Sequence, residues 1–330
     1  MSQPRLLPGR VVDIRAPHLP RNEPGSRARC RDLEGKLAAL QSENSRLQAA
    51  LFEAAQVHRR LCAPRLVRHG DFVIASEIFA VNSLPGDFFV IDIEKGSGDV
   101  VLALGDICGK GLAAAMWATY LVGLVGAHAA ASPDPQAIVA GVNREVCRMS
   151  TVAPLATLFL ARLDPASGRL DYCSAGHPPS LIMRASGQLE ALSEGGTLLG
   201  VMPDASFDRG RVEMGPGDVL LAYSDGILES CNIADQEFGY ERLEEQLRRA
   251  RTGSVEAVLF SVLGAVQDFA APRSLSDDTS LVVVRRDNPQ GDAADVGHGR
   301  SNSPRQVRDR RGPGKATSGV FTHSPQRADL

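Results

Sequence analysis

Residues 87–111 read DFFVIDIEKGSGDVVLALGDICGKG, and this stretch decides the fold class. Two runs rich in apolar, β-branched and aromatic residues, 87–94 and 99–107, lie on either side of the glycine-containing turn EKGSG. This arrangement is typical of a β-hairpin. The second run ends in Gly-Asp and is followed by an Ala-rich apolar segment at 111–131, which we expect to be a buried helix of a globular core and not a membrane span.

The same pattern of short β-rich runs continues on both sides of this hairpin. The runs are DFVIASEIFAV, ATLFLARLD, RLDYCSAG, PSLIMRA, DVLLAYSDG and TSLVVVRR. Helices are predicted at about 111–131, 135–150, 240–250 and 254–270. Because the strands group around paired helices and do not alternate with them one by one, we expect an α+β fold with largely antiparallel sheets.

Charge and cysteine usage exclude several classes of function. The formal net charge of -3 combines +4 on residues 1–30 and +2 on residues 287–330, which leaves -9 on residues 31–286. So acidic a middle argues against nucleic-acid binding and suits a domain that binds cations. The six cysteines form no CxxC pair and do not cluster with histidines, so neither a zinc site nor a disulfide framework is expected. A cytoplasmic protein with reduced thiols is the expectation.

The two ends of the chain differ in composition from its middle. Residues 1–30 and 287–330 are rich in Pro, Arg and Gly without apolar periodicity, and both are predicted to be disordered. Between 31 and 62 the apolar residues follow a heptad. One core position carries Leu33, Leu40, Leu47, Ala54 and Leu61, and the other carries Leu37, Asn44, Leu51 and His58.

This heptad seam predicts a coiled-coil linker helix over 31–62 and a homodimer formed through residues 33–61. A single Asn at a core position, here Asn44, fixes register and favours two strands in parallel coiled coils. The alternative is an amphipathic helix that packs on its own domain.

Four aspartates share one kind of position, at the end of an apolar β-run or in the turn beside it. They are Asp87, Asp106, Asp225 and Asp277. Each one alone reads as ordinary turn chemistry. Four in one domain indicate that several rigidly held carboxylates converge, and such a cluster is typical of a site for hard cations.

Seven segments in a fixed order carry a resemblance to a known family. They are PGDFF, GDICGKG, ATLFLARLDPASGRLDYCSAGHPPSL, LLGV, GDVLLAYSDGILES, FG and DDTSLVVVRR. Together they resemble the SpoIIE/RsbU-like branch of the PPM phosphatases, which are bacterial metal-dependent protein serine/threonine phosphatases. The resemblance runs from about Leu61 to Arg286. It implies an αββα sandwich over residues 63–286 with two Mn²⁺ or Mg²⁺ ions at one end.

The resemblance also implies a role for each site residue. Asp106 would bind both metals, Asp87 one of them, and Asp225 and Asp277 the other, with the backbone carbonyl of Ile107 as a further ligand. Two such ions generate a bridging hydroxide that attacks the phosphoryl group in line, so no side-chain nucleophile is expected. Asp278 would support the site without binding metal.

Two basic side chains near these motifs have two readings each. Lys110 precedes a predicted helix N-terminus and could contact phosphate there, or it is a solvated lysine in a glycine-rich turn. His177 in SAGHPPS could serve as a general acid, but the pattern favours a turn residue bonded to backbone.

Two positions depart from the family's pattern. Pro85 replaces a glycine before GD, and Val90 stands where a second aspartate is usual. Asp92 lies on the same strand face as Val90 and could partly compensate. The sequence therefore predicts a protein phosphatase acting on phosphoserine or phosphothreonine of a regulatory partner, by resemblance an anti-sigma-factor antagonist. The alternative is a pseudophosphatase or dimeric scaffold that binds a phosphoprotein without turnover.

Overall fold

The computed structural model describes residues 24–61, 66–81, 84–149 and 155–288. These residues contain six helices: α1 Pro24–Leu61, α2 Leu112–Ala131, α3 Pro135–Arg148, α4 Asp225–Leu228, α5 Gly239–Ala250 and α6 Val255–Ala270. Residues 1–23 and 289–330 lie outside the described residues, and with them most of the disorder predicted for 1–30 and 287–330. Residues 24–30 are helical, which differs from the prediction, because α1 extends to Pro24, a residue tolerated in the first helical turn.

The strands pair into two sheets. The first sheet has the order β1-β2-β12-β11-β7-β8, and all its pairs are antiparallel. Its strands are β1 Leu66–His69, β2 Phe72–Phe79, β7 Ser180–Met183, β8 Leu189–Leu192, β11 Val219–Tyr223 and β12 Thr279–Arg286. The second sheet has the order β10-β6-β5-β4-β3, with β9 added in parallel beside β6. Its strands are β3 Phe88–Ile93, β4 Val100–Ile107, β5 Ala156–Leu163, β6 Arg169–Ala175, β9 Gly195–Gly196 and β10 Gly210–Glu213.

The two sheets pack face to face and each carries helices on its outer face. Helices α2 and α3 cover the second sheet, and α5 and α6 cover the first. One apolar cluster fills the space between the sheets and under α2 and α3, while a second fills the space under α5 and α6. Alternate residues of β11 divide between them, since Leu220 joins the first cluster and Leu221 the second. The predicted αββα sandwich is confirmed.

Two antiparallel strand pairs bring the predicted site residues to the same end of the sandwich. In the β3–β4 hairpin, Phe88 pairs with Gly105, so the residue before β3 lies beside the end of β4. In the first sheet, Tyr223 at the end of β11 pairs with Leu281 near the start of β12. Strand ends from both sheets therefore border one region.

Helix α1 uses its heptad seam in two ways. Toward its N-terminal end the seam leucines are exposed, as shown by Leu40 at 68%. Toward its C-terminal end the seam residues Leu51 and Ala54 pack on the domain, against a buried cluster of Ala55, Leu84 and Ala115. The alternative reading, a helix packed on its own domain, thus applies to the C-terminal end of α1, and the coiled-coil dimer stays a prediction.

Helix α2 is long and apolar enough to cross a membrane by length and composition alone. In the structure it lies along β3 and β4 and beside α3, with Ala118, Leu121 and Val125 buried in the core between the layers. A core helix passes the same test of length and composition.

Candidate metal centre

Asp87 and Asp106 meet at the open end of the β3–β4 hairpin. Asp87 directly precedes β3 and is 2% exposed, and Asp106 is the penultimate residue of β4. The two carboxyl groups share a hydrogen bond. Ser280 Oγ, from the other sheet, donates a 2.5 Å hydrogen bond to Asp87 Oδ2. A residue 193 positions away in the chain therefore helps to fix the buried carboxyl group of Asp87.

Asp225 and Asp277 come from the adjacent ends of β11 and β12. Asp225 opens the short helix α4, and Asp277 lies two residues before the start of β12. Gly226 allows the close approach of these two segments, because a Cβ at this position would lie 2.0 Å from the backbone oxygen of Asp278. The glycine that follows Asp225 is thus needed for the geometry of the site.

The carboxyl groups at this end repel one another. Burial and then the charge of Asp106 raise the pKa of Asp87 well above its usual range. Burial raises the pKa of Asp106 to about 7 against a hydrogen bond from Asp87, with the charges of Asp225 and Asp277 adding to the rise. Burial, followed by the charge of Asp277, also raises the pKa of Asp225. A nearby cation would relieve this repulsion.

Lys110 is the cation that reaches these carboxylates. Its Nζ lies 2.7 Å from Asp277 Oδ2 and donates a 2.8 Å hydrogen bond to the backbone oxygen of Ser276. The hydrogen bond with Asp277 raises the pKa of Lys110. Both side chains are about half exposed, at 55% and 47%. Lys110 therefore places a half-exposed positive charge at the rim of the site. The role predicted for it stays a prediction.

His177 is buried on the other side of Asp106. Its Nδ1 lies 2.8 Å from Thr157 Oγ1, and Thr157 pairs with Asp106 across β4 and β5. Burial lowers the pKa of His177 to about 3. The imidazole is therefore neutral at physiological pH, which favours the predicted structural reading over the general-acid reading.

Val90 and Asp92 lie further along β3 than the site. Val90 packs against the apolar core, and Asp92 is exposed and pairs with Val101. Val101 is five residues from Asp106 on β4, about 16 Å at 3.3 Å per residue. The prediction that Asp92 compensates for Val90 is wrong. Asp92 shares a strand face with Val90, but it lies toward the end of β3 that is far from Asp87 and Asp106.

The donor set fits a hard divalent cation. It consists of the four aspartate carboxylates and the backbone carbonyl of Ile107, the last residue of β4. Gly86 lies against this carbonyl and against Asp106, since a Cβ built on it would be 3.5 Å from Ile107 O and 3.6 Å from Asp106 Oδ1. Oxygen donors of this kind suit Mg²⁺ or Mn²⁺ better than zinc.

These side chains do not form a preorganised metal-binding site. Among the residues that the structure describes, no three side chains of His, Cys, Asp or Glu stand together as a preformed metal-binding group. Asp277 turns toward Lys110, and Asp87 and Asp106 turn toward each other. These side chains would have to turn away from their present partners to surround a cation.

Three supporting residues were not singled out by sequence reasoning. Thr157 holds His177, Ser224 donates to the backbone oxygen of Asp278 at 3.5 Å, and Gly226 permits the approach of Asp225 and Asp277. For Ser224 and Gly226 a signal existed, since both flank a predicted ligand within YSDG. For Thr157 the sequence held no such signal, because only the register of β4 and β5 places it opposite Asp106.

Two packed antiparallel sheets between helix pairs, with aspartates at one end, define the class of PP2C-type protein serine/threonine phosphatase domains. The SiaA-PP2C domain of Pseudomonas aeruginosa has the same fold, with a TM-score of 0.65, 19% identity and coverage of 74% of this chain and 98% of that domain. The sequence profile described as Stage II sporulation protein E (SpoIIE) matches residues 96–287. This match spans more than half of the chain, so the chain belongs to the SpoIIE family.

Two curated relatives resemble the chain over much of its length. Protein IcfG of Synechocystis sp. (strain ATCC 27184 / PCC 6803 / Kazusa) is 24% identical over 234 residues, which cover 62% of this chain and 36% of IcfG. Phosphoserine phosphatase RsbU of Bacillus subtilis (strain 168) is 23% identical over 237 residues, which cover 71% of this chain and 69% of RsbU. The chain thus spans about a third of the length of IcfG and about two thirds of that of RsbU.

Proposed function

We propose that this chain is a metal-dependent phosphatase that hydrolyses phosphoserine or phosphothreonine on a regulatory protein. The observation that carries the proposal is the convergence of Asp87, Asp106, Asp225 and Asp277 from the two sheets, with the pKa of Asp106 raised to about 7. Buried carboxylates crowded without compensation are costly unless they serve a cation.

Two Mn²⁺ or Mg²⁺ ions are the proposed cofactors. Asp106 would bind both ions, Asp87 one of them, and Asp225 and Asp277 the other, with Ile107 O as a further ligand. When bound, such a pair supplies an activated water and neutralises the phosphoryl oxygens. The family to which the chain belongs is metal-dependent, and the donor set of this site agrees with that.

The chain's own residues have separate tasks around this centre. Ser280 holds the buried carboxyl group of Asp87 through its hydroxyl. Lys110, half exposed beside Asp277, is free to turn its ammonium group toward a bound phosphate when Asp277 takes a metal. The neutral His177 orients Thr157 and transfers no proton.

A covalent phospho-enzyme is not part of the proposal. Cys108 is exposed near the site, but partial desolvation of its thiol and then the charges of Asp106 and Asp225 raise its pKa. The thiol is therefore protonated at neutral pH and is a poor nucleophile. Direct attack by water on the phosphoryl group remains as the route.

The substrate is proposed from the relatives. RsbU is named a phosphoserine phosphatase, and by analogy this chain would act on a phosphorylated regulatory protein such as an anti-sigma-factor antagonist. The acidic middle of the chain makes nucleic acid an unsuitable partner. A cytoplasmic location is part of the same proposal.

We also propose the domain organisation and dimer predicted from the sequence. A phosphatase domain at 63–286 follows a linker helix whose exposed leucines Leu33, Leu37, Leu40 and Leu47 would pair with a second copy. Because Leu51 and Ala54 pack against the domain itself, the paired part of the seam would end near residue 47 in this arrangement.

A pseudophosphatase is the second candidate, and Val90 is the observation that favours it. The position where the family usually has a further aspartate carries an apolar side chain in the core. Such a protein would bind a phosphoprotein and metal without turnover. Turnover itself therefore distinguishes the two candidates.

The test is release of phosphate from a phosphoserine protein with Mn²⁺ and with EDTA. Wild type should turn over only with metal, and Asp225→Asn should not turn over. Asp268→Asn, an exposed carboxylate on α6, is the matched control and should behave as wild type. Absence of turnover by wild type with either Mn²⁺ or Mg²⁺, together with retained phosphoprotein binding, would favour the pseudophosphatase.

A further inference from the structure

We infer that Asp278 is a positioning residue that holds Asp87 in place through two backbone amides and not through the metal. This inference rests on the proposed function. Asp278 Oδ1 accepts a 2.8 Å hydrogen bond from Val81 N, and its Oδ2 accepts a 2.9 Å hydrogen bond from Gly86 N. Gly86 directly precedes Asp87, so the carboxylate of Asp278 fixes the chain where that ligand begins.

The backbone of Asp278 contacts the other half of the site. Its N–H donates a 3.0 Å hydrogen bond to Asp277 Oδ1. Its carbonyl oxygen lies against Gly226, the neighbour of Asp225, and accepts from Ser224 Oγ. One residue thus touches the segments that carry Asp87, Asp225 and Asp277.

Both carboxylate oxygens of Asp278 are occupied by these amides. An ionised carboxylate offers acceptors on both oxygens, whereas an asparagine offers an acceptor on one side and donors on the other. Two amides held on opposite oxygens therefore require Asp and not Asn at this position. The same arrangement leaves Asp278 to orient the site while its neighbour Asp277 is turned toward the rim.

The same segment is also held by apolar packing. Leu84, 5% exposed, packs against Ala55 of α1 and Ala115 of α2. The polypeptide before Asp87 is therefore held both by the hydrogen bonds to Asp278 and by the packing of Leu84 against α1 and α2.

Asp218 provides a matched comparison within the chain. Its Oδ1 accepts from Ala185 N and its Oδ2 from Gly215 N, both at 2.9 Å. Asp218 accepts two backbone amides as Asp278 does and in addition pairs with Arg184. Asp218 precedes β11 whereas the site lies beyond its end, roughly 20 Å away at 3.3 Å per residue. Removing it should disturb folding without disturbing the site.

The test is calorimetric titration of the full chain with Mn²⁺ alone, for wild type, Asp278→Ala, Asp278→Asn and Asp218→Ala. We expect Asp278→Ala to weaken Mn²⁺ binding by about 10- to 100-fold, the range for groups that orient metal ligands. Asp278→Asn should recover part of the loss because it keeps one acceptor. Asp218→Ala should lower the melting temperature but bind Mn²⁺ as wild type does.

Three outcomes decide the inference. Weakened binding in Asp278→Ala alone, partly restored by Asn, supports it. Wild-type Mn²⁺ affinity in folded Asp278→Ala, or an equal loss in Asp218→Ala, overturns it and leaves the proposed function standing. No Mn²⁺ binding by wild type overturns the proposed function and this inference with it.

Discussion

Buried carboxylates at the two ends of strands β11 and β12 differ in whether an arginine pairs with them. At one end, Asp218 is paired with Arg184 at 2.8 Å, and Asp287 is paired with Arg68 at 2.8 Å and with Arg285 at 2.7 Å. At the other end, within the described part of the chain, no arginine pairs with Asp87, Asp106 or Asp225. The first end is a structural solution to buried charge. At the second end, we propose that a bound cation balances the negative charge of the aspartates.

We propose that this difference separates carboxylates that hold the fold from carboxylates that bind metal. Burial alone does not make the distinction, since Asp87 and Asp218 are similarly buried at 2% and 5%. What distinguishes the two aspartates is that Asp218 has an arginine partner, Arg184. Replacing residues at each end should therefore affect different measurable quantities.

The largest expected effect is on turnover at the uncompensated end. Asp106→Asn removes the carboxylate placed to bind both ions, so we expect kcat to fall by at least about 1000-fold, or about 4 kcal/mol of transition-state stabilisation. Steady-state kinetics with Mn²⁺ on a phosphoserine protein measures this. A fall of less than tenfold would mean that Asp106 is not central to the reaction.

The next effect is on stability at the compensated end. Asp218→Ala leaves two backbone amides without their acceptor and removes one of the two carboxylate partners of Arg184. We expect it to lower the free energy of unfolding by roughly 3 kcal/mol. Urea denaturation in EDTA measures the loss. Turnover per folded molecule should stay at the wild-type level. A large drop in kcat with unchanged stability would reverse the assignment of the two ends.

Metal removal should connect the two quantities. At a Mn²⁺ concentration 100 times its dissociation constant, each site that binds Mn²⁺ in the folded state alone adds about 2.7 kcal/mol to the free energy of unfolding. Wild type and Asp218→Ala should both gain this stabilisation, and chelation by EDTA should abolish it. Asp225→Asn should gain much less. An equal gain in all three proteins would place the metal elsewhere.

The smallest effect is a dependence of stability on pH in the metal-free protein. The raised pKa keeps Asp106 protonated in the folded chain up to about pH 7, whereas in the unfolded chain it ionises near pH 4. The folded state therefore binds more protons in this window, and the free energy of unfolding falls as pH rises from about 4 to about 7. Asp106→Asn should flatten this slope in urea titrations with EDTA. An unchanged slope would assign the effect to other groups.

Much of the fold followed from local pattern. The β3–β4 hairpin, the helix at 112–131 and the α+β class with antiparallel sheets could be predicted because each depends on apolar periodicity and turn residues within a short stretch. The αββα arrangement was implied by the family resemblance. The aspartates were recognised because strand ends and glycines mark them in the sequence. Their common location followed from the family resemblance.

The contacts that organise the site could not be predicted in the same way. The hydrogen bond from Ser280 to Asp87 and those from Val81 and Gly86 to Asp278 join residues more than 190 positions apart. They depend on how the two sheets are stacked, which no local pattern specifies. The mistaken role of Asp92 has the same origin, since alternation gives the face of a strand but not the end at which a residue lies.

The central claim is that divalent cations bind at the end of the sandwich where carboxylates lack arginine partners. Equilibrium dialysis against Mn²⁺ with metal analysis, on wild type, Asp106→Asn and Asp218→Asn, tests it most directly. We predict two Mn²⁺ per chain for wild type and for Asp218→Asn, and fewer than one for Asp106→Asn. Equal Mn²⁺ content in Asp106→Asn and wild type, or no bound Mn²⁺ in wild type, would contradict the account.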